Sequence, residues 1–359
     1  PRVHPVDLDA AAAGQQDRVK MFGQGGFPAA VVPKNGDEAA VGDRQVQPLE
    51  NIRDGLALRG GVRIVKVCDL CKMREFVITV NSTVDLPKEW LKERNVPVLP
   101  LKYTIDGQTY QDMEGLSAKE FFQKLREGHM SVTSQINPEE AREMMEPFLK
   151  EGKDLLHLAF SSGLSGTYNS MRIAAEELAE DYPDAKIIVI DTLCACMGEG
   201  LLLYKVLQLK DQGKTLEEIA EWVEANKLHI CHNVTVDDLN HLHRGGRISK
   251  TAAVFGTLVQ VKPIIHMDEN GKLQVIGKER GRKRSLNKIV DMAVEQSEGW
   301  ENDMVMITHG DCIEDAEYVA ERVKEKLGNP EVLINNIGTV IGSHTGPGVV
   351  AVFLMGNKR

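Results

Sequence analysis

The stretch LLHLAFSSGLSGTYNSMRIAAEELAE, residues 155–180, joins an apolar run to a helical pattern through a loop of serine and glycine. LLHLAF has the length and composition of a buried strand, and YNSMRIAAEELAE has helical spacing. A strand that feeds a helix through a polar loop is the repeating unit of an α/β sheet. The loop SSGLSGT therefore sits at the carboxyl end of a strand, where such sheets hold anions or mount nucleophiles.

The same alternation extends on both sides. EFVITV (75–80) is a β-branched apolar run of the kind buried inside a parallel sheet. VPVLPLKYTIDGQTYQD reads as strand, Asp-Gly turn, strand. Ser117 with Glu120, and Thr215 with Glu218, are capping boxes that open helices. Asn137 caps another helix, with Pro138 at its first position and Pro147 predicting a break or kink near its end. VTSQINP is read as a loop. AKIIVIDT is a further strand. Residues 73–235 are thus expected to form an α/β domain, a mostly parallel sheet with helices on both faces.

After about residue 230 the pattern changes. HICHNVTV is a strand, DDLNHLHRGG a short helix, TAAVFGTLVQ an apolar helix, and KPIIHMDENGKLQVIGKER a hairpin. Helices and strands then follow, and the end, EVLINNIGTVIGSHTGPGVVAVFLM, reads as two strands around a loop. Residues 236–359 are expected to form a smaller α+β domain. Residues 1–72 are rich in Ala, Gly, Gln and Asp and lack a sustained period. They are expected to be a disordered or non-native lead-in, with the domain opening at Met73.

Composition narrows the function. The 359 residues are 42% hydrophobic and 27% charged, with 43 basic and 53 acidic side chains and a net charge of −10. That balance offers no general footprint for nucleic acid. No apolar run approaches a membrane span, and no signal peptide is recognised. Six cysteines in this length do not make a disulfide scaffold, so a reducing cytoplasm is expected. Cys68-x-x-Cys71 lacks a second pair with finger-like spacing, and no metal site or cofactor is expected.

Several loops carry chemistry. SSGLSGT lacks the Gly-Lys of a phosphate-binding P-loop and misses the G-x-S-x-G nucleophile elbow by one residue. What remains suits either an anion, through backbone N–H groups and hydroxyls, or a plain helix cap. Thr133 and Ser134 precede another helix start. Arg244 and Arg247 flank Gly245-Gly246, where a guanidinium can reach a carboxylate or phosphate. His344 stands on a Gly/Pro-rich segment, SHTGPG. KERGRKRS (278–285), with Arg280, Arg282, Lys283 and Arg284, is the concentrated basic patch; it reads as a solvated face or as a dock for an acidic partner.

Taken in order, FVITVNSTVDLP, VTSQINP, SSGLSGTYNS, HRGGRISK, KPIIHMDENGKL and GSHTGPG resemble the successive signatures of the DegV family of bacterial fatty-acid-binding proteins. The resemblance runs from about Met73 to Arg359. It implies two domains with a long-chain fatty acid between them. It also implies a lipid-binding subunit that presents the acid to a separate ATP-dependent fatty acid kinase subunit, without catalysing phosphoryl transfer itself. Carried over, Thr133, Ser165 and the Gly166 N–H would hold the carboxylate, completed by Arg247 and His344. Ser82, Ser134 and Arg244 would support them. The family's first loop usually reads Asp-Ser; Asn81-Ser82 departs from it. Loading of the lipid would involve transient membrane contact.

A sixteen-carbon acid has about 14 methylenes, and at about 0.8 kcal/mol each their full burial is worth up to about 11 kcal/mol. The tail should therefore dominate affinity, and TAAVFGTLVQVKPII (251–265) is the expected lining from the second domain. Two other classes remain: a serine esterase or thioesterase using Ser165 and His344, and a phosphosugar or nucleotide binder using the same loops.

Overall fold

In the computed structural model the described residues are 74–237, 239–249, 260–357 and 359. The expectations for residues 1–72, for Cys68-x-x-Cys71, for the opening at Met73 and for the apolar helix over 251–259 lie outside them. The described residues belong to one compact unit.

The first lobe is built on a parallel sheet of β1 (Phe76–Asn81), β2 (Val98–Leu99), β6 (Asp154–Ala159) and β7 (Ile187–Asp191), in the order β2-β1-β6-β7. β6 is buried throughout, as its Leu-rich sequence favours, and it buries Asp154 and His157 as well. The strand order reverses between β1 and β6. Their carboxyl ends, at Asn81 and Ala159, therefore border a crevice of the kind in which open α/β sheets bind ligands. The helices of this lobe are α1 (Lys88–Glu93), α2 (Ala118–Arg126), α3 (Pro138–Lys150), α4 (Thr167–Asp181), α5 (Met197–Asp211) and α6 (Leu216–Asn226), of which α3, α4 and α6 pack on this sheet.

The capping boxes form as the sequence dictates. Ser117, Asn137 and Thr215 each accept from the backbone N–H three residues on, and Glu120, Glu140 and Glu218 reach back. Pro147 does not break α3, which continues to Lys150. Ala141, Met145 and Leu149 are all buried along one face, and that packing holds the helix across the missing N–H.

Beside the parallel sheet lies an antiparallel one of β3 (Lys102–Ile105), β4 (Gln108–Gln111) and β5 (Ser131–Ser134), in the order β4-β3-β5. The segment read as a loop at VTS is thus an edge strand, with Thr133 opposite Tyr103. Burial of Tyr103 and Ile105 on its neighbour and the β-branched Val132 and Thr133 favour that pairing.

The second lobe is a six-stranded sheet in the order β10-β9-β8-β13-β11-β12. Its strands are β8 (Ile230–Thr235), β9 (Val261–Met267), β10 (Leu273–Arg280), β11 (Met304–His309), β12 (Glu331–Asn336) and β13 (Val350–Met355). β8 pairs with β13 and β9, so the division between the sheets falls before Ile230 rather than near residue 235. Helices α7 (Asn240–Arg244), α8 (Arg282–Gln296), α9 (Ile313–Lys326) and α10 (Thr339–Thr345) complete the described lobe. The final segment is therefore not two strands around a loop: α10 stands between β12 and β13. Its β-branched residues and Gly342 are poor helix formers, so tertiary contacts make it.

Candidate functional site

A cavity of about 400 Å³ lies between the lobes. That is within the range of about 300–1,000 Å³ usual for ligand sites. The first lobe contributes Phe160, Leu164, Ala195 and Cys196, from the loops at the carboxyl ends of β6 and β7. The second lobe contributes Val234, Ile265, Met267 and Phe353 from its sheet. Ile265 is the part of the expected lining segment that falls among the described residues and reaches the cavity. The walls are mostly apolar; Thr133, Ser134, Gln135, Ser165, Arg247 and His344 are among the polar residues that line them, as are His232 and Thr308.

Each polar group is placed by its own element. Thr133 is on edge strand β5, and its Oγ1 lies 2.8 Å from Nε2 of His344 near the end of α10. The other ring nitrogen, Nδ1, is buried without a hydrogen bond. It packs on Gly245, where a Cβ would stand only 2.1 Å away. Burial, reinforced by the positive charges of Arg247 and Arg244, pushes the His344 pKa down to about 4. The ring is neutral at pH 7. With its proton on Nε2 it donates to Thr133, and the threonine O–H is left to point into the cavity.

Ser165 precedes α4. Its Oγ accepts from the Thr167 N–H at 3.2 Å and lies 3.0 Å from Thr167 Oγ1. The hydroxyl is thus held at the helix start, beside N–H groups that favour an anion. No acidic residue occupies the first turn of α4. Gly166, the residue before α4, lies against Gln135: a Cβ on it would be 2.2 Å from Gln135 Oε1.

Arg247 is half-buried. Its Nε donates to the Leu164 carbonyl at 3.1 Å and its Nη1 to the Gly245 carbonyl at 2.5 Å. Burial is what shifts this guanidinium, lowering its pKa, and no carboxylate among the described residues offsets that. It remains a cation at neutral pH, because an arginine starts so far above it. A half-buried cation without a counter-ion among the described residues, next to a neutral imidazole and two hydroxyls, is suited to an anionic group.

The structure brings together Thr133, Ser134, Ser165 and Arg247 with His344, and sets Gly166 beside them. Other expected residues stand elsewhere. Ser82 is buried away from the cavity, where its Oγ accepts from the Leu101 N–H at 3.2 Å. Arg244 is exposed and pairs with His241 Nδ1 at 2.8 Å, so it reaches the site only through its charge. Asn81 makes no head-group contact either; its Oδ1 accepts from the Phe160 N–H at 3.0 Å and so fixes a wall residue. Arg282 is tied to Asp315 at 2.8 Å and approaches Asp237 at 3.8 Å, which removes it from the open basic patch. Arg280, Lys283 and Arg284 are exposed. The sequence reading passed over Gln135, although it directly follows Thr133-Ser134.

Ser165 and His344 are not paired with each other. His344 bonds Thr133, whereas Ser165 is engaged with Thr167. Among the described residues no group of three or more His, Cys, Asp or Glu could hold a metal ion, and no helix is long and apolar enough to cross a membrane.

Known proteins are similar to this chain along nearly all its described residues. A DegV domain-containing protein of Clostridium perfringens is 46% identical over 289 residues, which cover 80% of this chain and 99% of that protein. A solved structure of a fatty-acid-binding DegV family protein from Thermus thermophilus superposes with a TM-score of 0.72 at 30% identity, covering 79% of this chain and all of that one. A stearic acid-binding protein from Eubacterium ventriosum superposes with a TM-score of 0.72 at 26% identity, covering 78% of this chain and 98% of that one. The family model described as uncharacterised protein, DegV family, matches residues 75–357. The chain belongs to the DegV family.

Proposed function

We propose that this protein binds a long-chain fatty acid. The acyl chain fills the cavity between the lobes, and the carboxylate lies at Arg247, the Thr133–His344 pair and Ser165. The observation that carries this reading is the half-buried Arg247 cation, without a carboxylate partner among the described residues, lining a mostly apolar cavity. The fatty acids named for the Thermus and Eubacterium proteins supply the same chemistry: one anionic head on a long apolar tail. A phosphosugar or nucleotide would leave apolar walls facing polar ligand surface, at a cost in desolvation.

The protein acts as a binding subunit in the bacterial cytoplasm. It holds the carboxylate still while a separate ATP-dependent kinase subunit converts it to an acyl phosphate. The two lobes serve as the two domains of the binder, and the exposed Arg280, Lys283 and Arg284 form its basic docking face. Lipid is loaded through transient membrane contact. Burial of the tail, at about 0.8 kcal/mol per methylene, dominates affinity, and the head-group hydrogen bonds set position.

Mass spectrometry of an organic extract of the purified protein tests the reading. A long-chain fatty acid is expected at about one per chain. An extract without fatty acid, from a protein whose melting temperature no added fatty acid raises, would rule it out.

A further inference from the structure

α10 carries His344 near its carboxyl end, and its start is fastened by two carboxylates of the other lobe. Thr339 Oγ1 donates to Asp112 Oδ1 at 2.7 Å. A Cβ on Gly338, the residue before the helix, would lie 2.4 Å from Asp85 Oδ1 and 3.5 Å from both Asp112 oxygens. Both carboxylates thus converge on one point at the helix start. Both are almost fully buried, Asp85 at 4% and Asp112 at 1% exposure. Asp85 is itself fixed: it has a left-handed backbone at φ 51°, its Oδ2 accepts from Cys196 Sγ at 2.7 Å, and its carbonyl accepts from Asn335 Nδ2 at 2.7 Å. Asp85 Oδ1 and Asp112 Oδ2 make no direct hydrogen bond. Burial and the neighbouring Asp112 push the Asp85 carboxyl well up, and burial pushes that of Asp112 up; the Gly338 and Val340 amides offset this only in part.

The rest of α10 is also held from the first lobe. Ser343 Oγ lies 2.7 Å from Ser131 Oγ on β5. Gly342 lets the helix sit on α2, for a Cβ there would be 2.9 Å from Phe122 and 3.1 Å from Phe121. At about 1.5 Å per residue the helix is only about 10 Å long, so the anchor at Thr339 and the ring at His344 belong to one short rigid piece. A segment with three β-branched residues in its first turn would not hold this conformation unaided.

We propose that Asp112, with Asp85 behind it, is a positioning residue for His344, setting the imidazole against Thr133 by fixing the start of α10. Neither carboxylate touches the ligand. The effect on affinity rests on the fatty acid reading above; the effect on the imidazole does not.

The test is NMR of the His344 ring together with palmitate binding in single variants of the full chain. Asp112→Ala is expected to shift the ring resonances and weaken palmitate roughly tenfold, the scale of one hydrogen bond to a charged group. Asp112→Asn keeps an acceptor for Thr339 and should restore both. Thr339→Val removes the same bond from the other side with little change of shape, and it should shift the ring as Asp112→Ala does. It also carries the test if Asp112→Ala does not fold. Ring resonances unmoved in Thr339→Val, or moved equally in Asp112→Asn and Asp112→Ala, would overturn the proposal. A wild-type protein that binds no palmitate would instead defeat the fatty acid reading and leave the ring shift to decide the positioning role.

Discussion

His344 Nε2 lies 2.8 Å from Thr133 Oγ1, and that bond joins the two lobes at the cavity wall. It ties an edge strand of one lobe to a short helix of the other. A ligand head at this point touches both, so binding and the relative placement of the lobes are coupled there.

The imidazole in this bond is held neutral by burial and by Arg247 and Arg244. The folded-state pKa of about 4 lies below the ordinary histidine value of 6.5. Between those values the unfolded chain binds a proton that the folded protein refuses. The sign is therefore that stability is lost as pH falls from 6.5 to about 4, and no further loss arises from this group below that. The loss is about 3 kcal/mol at most. His157, held down to about 3 by burial, acts in the same direction. The His344→Asn variant should accordingly show a flatter stability curve over this window than the wild type in urea titrations. Parallel curves would contradict the neutral, buried assignment.

Gly245 sets how close α7 can approach that ring. A methyl there would stand 2.1 Å from Nδ1 of a rigid imidazole, whereas a methyl at Gly166 would meet the mobile end of Gln135 at 2.2 Å. Gly245→Ala should cost about 1–3 kcal/mol and weaken fatty acid binding, the usual scale of overpacking. Gly166→Ala should cost less than about 1 kcal/mol, since an amide side chain can swing aside. Thermal melts of the two variants check the ordering; equal losses would contradict it.

The hydroxyls and the lipid tail are expected to divide the work. Thr133→Ala combined with Ser165→Ala should slow acyl phosphate formation by the kinase subunit more than it weakens lipid binding, because the tail supplies most of the affinity. Single-turnover assays beside equilibrium binding separate the two. Equal losses in both would count against a positioning role for these hydroxyls. The same Ser165 variant should leave any background hydrolysis of activated esters unchanged, since His344 serves Thr133.

Much of this was legible in the residues themselves. Apolar runs at EFVITV and LLHLAF name buried parallel strands, and two capping boxes and an Asn-Pro cap mark helix starts, because those signals act over a few neighbouring residues. Thr133, Ser165, Arg247 and His344 line one cavity because their segments end at one seam. The misreadings have a common cause in distant contacts. α10 exists because Asp112 and Phe122 hold it from far along the chain. β5 is a strand because β3 is beside it. Ser82 sits in a ligand-like motif yet serves the Leu101 amide, and Arg282 stands in a basic run yet is spoken for by Asp315.

Arg247 remains the centre of the account. Its replacement by Gln keeps hydrogen-bonding capacity and removes the charge, so fatty acid affinity should fall roughly 10- to 100-fold, the worth of a charge-assisted bond in a shielded site. The most direct measurement follows fatty acid labelled with carbon-13 at the carboxyl, by NMR, across a pH titration with wild type and Arg247→Gln. The account predicts a bound resonance that stays ionised to lower pH than the free acid in the wild type, and a head-group that protonates at higher pH in the variant. A bound carboxyl whose titration is the same in both proteins, or no bound resonance at all, would contradict it.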